Sequence, residues 1–463
     1  MSRFRRFGIG WRLAAVIALA LLLSLGTLNT RGTTQAAGPG SGAGGGNGNG
    51  HGAHRGQQQA ATGAATRSSG ARVIEDGTPW TQLTPEISPP PRQGYAMATD
   101  SATGTIVLFG GQAESYGNTT MNDTWVWNGA ANALTWTQVV SPGCTNICSN
   151  SPPARYGAHM AYDPATKMDI LFGGMSVSGT NDSASTRQLT NTLLNDTWGW
   201  NGVTQTWTQL LSPGCTSTCP NSPSARTAAA MSTDPSLNHV VLFGGSTAIP
   251  GGCFTLNGVP NNPPGECGVN DAWGWTGSAW RQLGAGGPGL QPHPRASAAL
   301  AAQPGSGSGG PFASANVVLF GGLIRDLYDG QGADTFNLNG TGAAFVQTAL
   351  NPHPFARSAT GLAGTTLPQK GVMTYSGKLH DFATVGDTWE LSPTNVWTAV
   401  CGTATTPACG PGARYSIQLA TDPATGTPLL FGGRDNGAGC DINSAFNTCN
   451  DTWRFGPPPP VAP

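Results

Sequence analysis

One pattern of apolar and polar positions returns six times along this chain. Each copy opens with an arginine and a stretch of small residues, continues with an apolar run, and then shows an aspartate followed two positions later by an aromatic residue. In the first copy the apolar run covers residues 106–109, and its unbroken hydrophobicity is typical of a strand covered on both faces. Trp125 and Trp127 then alternate with Val126, which predicts another strand.

The spacing of the copies predicts a closed ring of sheets. Successive arginines lie 57 to 71 residues apart, which suits one four-stranded antiparallel blade of a β-propeller. The last copy ends at Phe455 after its third strand, whereas Trp80-Thr81-Gln82-Leu83 precedes the first arginine and matches residues 207–210 position by position. We therefore predict an all-β, six-bladed β-propeller over residues 80–456, closed by its N-terminal strand pairing into the last blade.

These repeats resemble the kelch family. The resemblance is carried by Leu-Phe-Gly-Gly at 108–111 and 171–174 and by Asn-Asp-Thr-Trp at 122–125 and 195–198, and it extends over nearly all of residues 80–456. The family includes the propeller of galactose oxidase, whose copper would need two tyrosines and two histidines. No histidine of the predicted ring adjoins a tyrosine, so the resemblance implies the fold without the copper site; these histidines are His159, His239, His293, His353 and His380.

The N-terminus has the pattern of an export signal. Four arginines within the first 12 residues precede an apolar run at 13–28, and small residues follow up to Ala37. The run is short for a membrane span, although a tilted anchor would also fit. We predict a signal peptide or membrane anchor at 1–37, a flexible Gly/Ala/Ser-rich linker at 38–79 and a Pro-rich tail at 457–463. Either alternative places the propeller outside the cell, secreted or on the extracellular face of the membrane.

Cysteine usage agrees with export. The ten cysteines form five close pairs, and no histidine lies within ten residues of any of them, which argues against metal binding. We predict local disulfides that stiffen individual loops. The predicted pairs are Cys144–Cys148, Cys215–Cys219, Cys253–Cys267, Cys401–Cys409 and Cys440–Cys449.

The two ends of the predicted ring differ in their connections. With the strands of a blade named a to d in chain order, the b–c and d–a connections lie on one end, the loop face, and the a–b and c–d connections lie on the other, the turn face. Long loops and all ten cysteines fall on the loop face, whereas most connections on the turn face are tight. Elaborated loops on a rigid scaffold usually form a binding surface, and the candidate ligand-binding side chains are Tyr116, Phe254, Tyr328 and Phe446.

The repeated arginines and aspartates also fall on the loop face. A ring of arginines could bind anions, but an aspartate recurs with every arginine, and functional sites rarely repeat in every blade. We therefore predict a structural Arg–Asp pair in each blade, and we predict that the repeated tryptophans pack between blades rather than stack on a sugar. The arginines are Arg92, Arg155, Arg226, Arg295, Arg357 and Arg414, and the aspartates are Asp123, Asp196, Asp271, Asp334, Asp387 and Asp451.

Charge and motif content narrow the function. The 22 basic and 23 acidic residues give a net charge of −1, so no overall field attracts nucleic acid. The sequence also has no G-x-S-x-G nucleophile elbow. We predict a monomeric, non-enzymatic binding or scaffold propeller that needs no cofactor and recognises a protein or a glycan through its loop face. The alternative is a galactose oxidase-like or carbohydrate-active enzyme with a divergent site.

Overall fold

The described part of the chain forms a six-bladed β-propeller, which confirms the predicted fold. Its six blades are small four-stranded antiparallel sheets, and no helix occurs among the described residues, so none there could cross a membrane. The predicted signal peptide or membrane anchor at 1–37 and the predicted tail at 457–463 lie outside the described residues. The computed structural model describes residues 72–74, 79–113, 119–130, 134–141, 150–178, 190–212, 221–248, 266–283, 292–304, 316–324, 330–338, 345–348, 352–366, 371–379, 383–435 and 447–456.

Each blade runs from strand a at the axis to strand d at the rim, and the six a strands contact one another around the axis. The four strands of blade 1 are Ala96–Asp100, Thr105–Ala113, Thr119–Asn128 and Thr135–Val140; of blade 2, His159–Asp163, Met168–Phe172, Thr197–Asn201 and Thr206–Leu211; of blade 3, Ala230–Asp234, His239–Phe243, Ala272–Trp275 and Trp280–Gln282. Those of blade 4 are Ala299–Ala302, Val317–Phe320, Thr335–Leu338 and Phe345–Thr348; of blade 5, Gly361–Gly364, Val372–Lys378, Thr384–Leu391 and Trp397–Cys401; of blade 6, Leu419–Asp422, Thr427–Arg434, Thr448–Phe455 and Trp80–Thr84.

Short additional strands extend the blades toward the loop face. They are Met175–Ser178 paired with Thr190–Leu193, Ser246–Ala248 paired with both Arg226–Thr227 and Glu266–Gly268, and Leu323–Ile324 paired with Gly330–Gln331.

The N-terminal strand closes the ring, as predicted. Trp80–Thr84 pairs antiparallel with Thr448–Phe455, so that Trp80 lies opposite Phe455. A fifth strand, Arg72–Ile74, pairs with the outer side of Trp80–Thr84. The sequence analysis did not predict this strand, which falls within the range assigned to the linker. Its β-branched residues suit a strand, and it covers an edge that would otherwise be open.

The hydrophobic core lies between neighbouring blades. Val107 and Phe109 of blade 1, for example, pack in one buried cluster with Met160 and Trp198 of blade 2. The tryptophans of strand d are buried there too, and each donates its indole N–H at 2.9 to 3.0 Å to a threonine in strand c of the preceding blade. These tryptophans are therefore core residues. The pairs are Trp80–Thr388, Trp136–Thr452, Trp207–Thr124, Trp280–Thr197 and Trp397–Thr335.

The glycine pairs join successive blades near the loop face. The second glycine of each pair donates its N–H to the carbonyl of the next repeated arginine, as Gly111 does to Arg155 at 2.9 Å. The first glycine has a positive φ, and a Cβ on Gly110 would lie 2.9 Å from the same carbonyl. In blade 5 a serine replaces the first glycine: Ser376 adopts φ +60°, and its hydroxyl accepts the N–H of Arg414 at 2.7 Å.

A ring of six backbone hydrogen bonds surrounds the axis at the start of the a strands. The residue two positions after each repeated arginine donates its N–H to the same position of the preceding blade, at 2.7 to 3.0 Å, and the sixth bond closes the circle. All six residues are small and have φ between +53° and +66°. We call this ring the axial collar; its members are Gly94, Gly157, Ala228, Ser297, Ala359 and Ser416.

Candidate functional site

The repeated arginines and aspartates form one ion pair in every blade, and the arginine of each pair is buried. Arg155 donates from its two terminal nitrogens to the carboxylate oxygens of Asp196 at 2.6 and 2.7 Å. One terminal nitrogen also donates to the carbonyl of Gly173, and Nε donates to the carbonyl of Pro153. The indole N–H of Trp198 donates to the same carboxylate at 2.7 Å. Burial by itself would raise the pKa of Asp196, but the Arg155 guanidinium outweighs it and holds this pKa below its usual value.

The other five blades repeat this geometry. Their arginine–aspartate distances are 2.5 to 2.7 Å, and all six arginine side chains are at most 1% exposed. A ligand could not reach guanidinium groups that are this deeply buried, so the pairs anchor strand a to strand c. The other pairs are Arg92–Asp123, Arg226–Asp271, Arg295–Asp334, Arg357–Asp387 and Arg414–Asp451.

An aromatic and cationic cluster lies on the loop face beside the axis. The Nζ atom of Lys378 is 5.3 Å from the ring centre of Tyr415, and the guanidinium carbon of Arg434 is 5.8 Å from it. Burial and the neighbouring Arg434 lower the pKa of Lys378. We call these three residues the Tyr415 cluster. Two large apolar side chains on the same face, Ile87 and Phe355, are 55% and 71% exposed.

One predicted disulfide is present in the described part of the loop face. Cys401 is bonded to Cys409 in the d–a connection between blades 5 and 6, as predicted, and Cys449 is also disulfide-bonded. Cys267 lies in the strand Glu266–Gly268, but its side chain is outside the described residues. The other predicted cysteines also lie outside the described residues, as do the four candidate aromatics: Cys144, Cys148, Cys215, Cys219, Cys253 and Cys440, and Tyr116, Phe254, Tyr328 and Phe446.

A cavity of about 650 Å³ occupies the centre of the ring. Its wall is formed by strand a of all six blades, and its lining reaches exposed residues of the a–b turns such as Ser101, Asn238 and Pro423. The cavity therefore opens on the turn face. At the other end the lining stops next to the axial collar, at residues such as Ile417, which directly follows Ser416 in the chain. The sequence analysis missed this cavity, although the small residues that follow each repeated arginine were a signal for it.

The cavity is mainly apolar. Methionine or leucine occupies the same strand position in all six blades, with alanine, glycine or serine beside it. The amide of Gln418 is satisfied, because it accepts the N–H of Met97 at 2.8 Å and donates to the carbonyl of Ala158 at 3.3 Å. His159 makes no hydrogen bond within the described part of the chain, and burial lowers its pKa to about 4. The six repeated apolar residues are Met97, Met160, Met231, Leu300, Leu362 and Leu419.

The four ring histidines in the described part of the chain do not converge on one site. His239 pairs with Asp163 at 3.1 Å, and the ring of His353 bonds the carbonyl of Pro354. The carbonyl of His293 accepts a hydrogen bond from its repeated arginine, and His380 lies outside the described residues. Among the described residues no group of three or more His, Cys, Asp or Glu side chains could hold a metal ion.

The position of His159 predicts a pH-dependent stability. Protonation disfavours the folded state, so the stability held above the usual histidine pKa of 6.5 is lost as the pH falls toward 4. We expect His159→Ala to remove up to about 3 kcal/mol of this loss. The variant should fold, because Ala96, Ala230 and Ala299 occupy the same position in other blades. Urea unfolding of both proteins between pH 7.5 and 4 tests this, and parallel pH curves would contradict it.

Comparisons with known proteins add little to this description. No protein-family model matches the chain, and no curated protein sequence matches it. Among solved structures, the chain is similar to that of YjhT, with 13% identity and a TM-score of 0.48 over 80% of this chain and 96% of that one. At that identity and score we base no argument on the similarity, and the fold assignment follows from the sheets of this chain.

Proposed function

We propose that this chain is an exported, non-enzymatic binding propeller of the kelch type that recognises a protein or a glycan through its loop face. The proposal is supported by the hydrogen bonds and ion pairs that hold the base of the loop face in place. The axial collar and the six Arg–Asp pairs, whose arginines are all buried, lie directly beneath it, and both link strands or blades at the point where the loops leave the ring. A rigid base of this kind lowers the entropy that ordered loops lose when they bind a partner.

The described side chains on this face are of the kind that binding surfaces use. Tyrosine and arginine are enriched among residues that dominate binding energy, and the Tyr415 cluster places both beside the axis. The guanidinium of Arg434 and the ammonium of Lys378 can donate hydrogen bonds to carboxylates, hydroxyls or backbone carbonyls. Phe355 adds a largely exposed aromatic ring on the same face. The length of the loops predicted on this face favours a macromolecular ligand.

Loop replacement tests the proposal. We would shorten the b–c connections 179–189, 249–265 and 436–446 to minimal turns, replace the cysteines left without partners by serine, and compare Tyr415→Ala and Arg434→Ala as single changes. Binding of the labelled protein would be measured on a glycan array and on intact cells, with and without protease or glycosidase treatment of the cells. We expect the shortened loops to reduce binding by more than tenfold.

Matched controls lie on the turn face. Val203 and Val396 are 74% and 49% exposed in c–d turns, so their replacement by alanine should leave binding unchanged. Unchanged binding after loop replacement would refute the proposal. Bound copper with oxidase turnover, or glycosidase activity of the purified protein, would instead favour the enzyme alternative.

A further inference from the structure

The central cavity is a second candidate site, separate from the loop face. The axial collar lies between the two, because its six hydrogen bonds encircle the axis at the end of the cavity nearest the loops. The other end is rimmed by the exposed a–b turn residues of four blades, Ser101, Gly104, Asn238 and Pro423 among them. A ligand would therefore enter from the turn face. At about 650 Å³ the cavity is within the size range of small-molecule sites, on the order of 300–1,000 Å³.

The residues that line the cavity disfavour a charged ligand. None of the described residues that line the cavity is an aspartate, glutamate, lysine or arginine. A charged ligand would lose its hydration without gaining a counter-ion, which is costly in an apolar site. Thr99, Thr233 and Thr421 do not offer free donors, since each hydroxyl already donates to a backbone carbonyl of the preceding blade.

A histidine in the cavity wall can bind a polar group. The imidazole of His159 lies in the cavity without a hydrogen-bond partner among the described residues, and a neutral imidazole has one donor and one acceptor nitrogen. In three other blades the same strand position holds an alanine. His159 is thus a hydrogen-bonding group in a mainly apolar wall, whereas Gln418, at the same strand position in blade 6, is already hydrogen-bonded to Met97 and Ala158. A few placed polar groups in an apolar pocket are what orients a ligand.

We propose that the central cavity binds an uncharged, mainly apolar small molecule that enters from the turn face and makes one hydrogen bond with His159. This site would act in addition to the proposed recognition of a protein or glycan by the loop face.

Three related fluorescent or hydrophobic probes test the proposal on the full chain. N-phenyl-1-naphthylamine is uncharged and has one N–H; 8-anilinonaphthalene-1-sulfonate adds a negative charge to it; 1-phenylnaphthalene lacks the N–H. We expect the amine to bind with a dissociation constant on the order of 10 µM. The sulfonate should bind at least tenfold more weakly, because no lysine or arginine among the described lining residues can pair with it.

Two variants locate the site. Ala302→Tyr should weaken binding of the amine at least tenfold, because residue 302 lines the cavity at the position that Tyr162 occupies in blade 2. His159→Ala should weaken binding of the amine by about three- to tenfold, the value of one hydrogen bond, and leave binding of 1-phenylnaphthalene unchanged. Val203→Tyr, a change to the same aromatic residue on an exposed turn, is the control and should have no effect.

Several results would overturn the proposal. They are absence of binding by the amine, equal affinity for the sulfonate, equal affinity in a folded Ala302→Tyr protein, or an equal effect of His159→Ala on both uncharged probes. If Ala302→Tyr does not fold, a crystal of the unaltered protein soaked with a brominated form of the amine decides: anomalous bromine signal outside the cavity refutes the site. Shortening the b–c loops should leave probe binding intact, so this proposal and the proposed function fail independently.

Discussion

A chain that begins at Pro85 is expected to lose its cooperative native fold. The truncation removes Arg72–Ile74 and Trp80–Thr84, so blade 6 loses its outer strand and Thr448–Phe455 becomes an open edge. Trp80 is fully buried against Tyr375 and Phe455, with ring centres 5.2 and 5.6 Å away, and its loss alone should cost about 3 to 5 kcal/mol. Loss of the whole strand therefore approaches the total stability of a typical domain, about 5 to 15 kcal/mol.

The measurement compares three chains by thermal unfolding, near-ultraviolet circular dichroism and gel filtration. The chain that begins at Gly70 keeps both N-terminal strands, the chain that begins at Pro79 lacks only Arg72–Ile74, and the chain that begins at Pro85 lacks both. We expect the first two to unfold cooperatively and the third to aggregate or to lack a transition. A synthetic peptide of residues 70–84 should restore the transition of the third. A chain from Pro85 as stable as the other two would show that the ring does not depend on this closure.

The blade count and the closure could be predicted because they depend on repetition. Each blade needs the same buried positions, so the arginine, the glycine pair, the aspartate and the aromatics recur in order. A missing strand d at one terminus is matched by an additional one at the other.

Where a repeat departs from the pattern, another residue makes an equivalent contact. Ser376 replaces a glycine and bonds the next arginine through its hydroxyl. In blade 4 Phe336 replaces a tryptophan, and its ring centre lies 5.5 Å from the guanidinium of Arg295.

The cavity and the axial collar could not be predicted in the same way. The collar takes one residue, and the cavity wall a few, from each of six segments spread over more than 300 positions, and each segment shows only a few small residues. Whether these strands meet at the axis or leave a space depends on the number of blades and on side-chain volume, which no one repeat encodes. The sequence therefore indicated the loop face, where long connections and cysteines are easily recognised. The strand at 72–74 was missed because three residues are too short to show a period.

Removing one member of a buried Arg–Asp pair is expected to have the second-largest effect. Asp196→Asn takes away the charge that compensates Arg155, whose side chain is fully buried, and this should lower the free energy of unfolding by about 3 to 5 kcal/mol. The double variant Arg155→Met/Asp196→Leu should lose less than the sum of the two single changes, because no charge is then left uncompensated.

The pH profile provides the discriminating measurement for this pair. Because the pKa of Asp196 is held below its unfolded value, its contribution to stability is complete above that unfolded value, near 3.8, and is lost as the pH falls through the folded one. Urea unfolding between pH 7 and 3 should therefore show the full loss for Asp196→Asn at neutral pH and a smaller difference from the unaltered protein in acid. Val203→Ala, on an exposed turn, is the control and should leave the free energy of unfolding unchanged.

A small effect of Asp196→Asn would contradict this account of the pairs. A loss of less than about 1 kcal/mol, the value of an exposed ion pair, would mean that the guanidinium is hydrated in solution and that the pairs do not anchor the blades. A decrease of about 3 to 5 kcal/mol in the free energy of unfolding would show that these pairs stabilise the base of the loop face. Each loop that binds a ligand would then start from a strand end that is held in place by an ion pair.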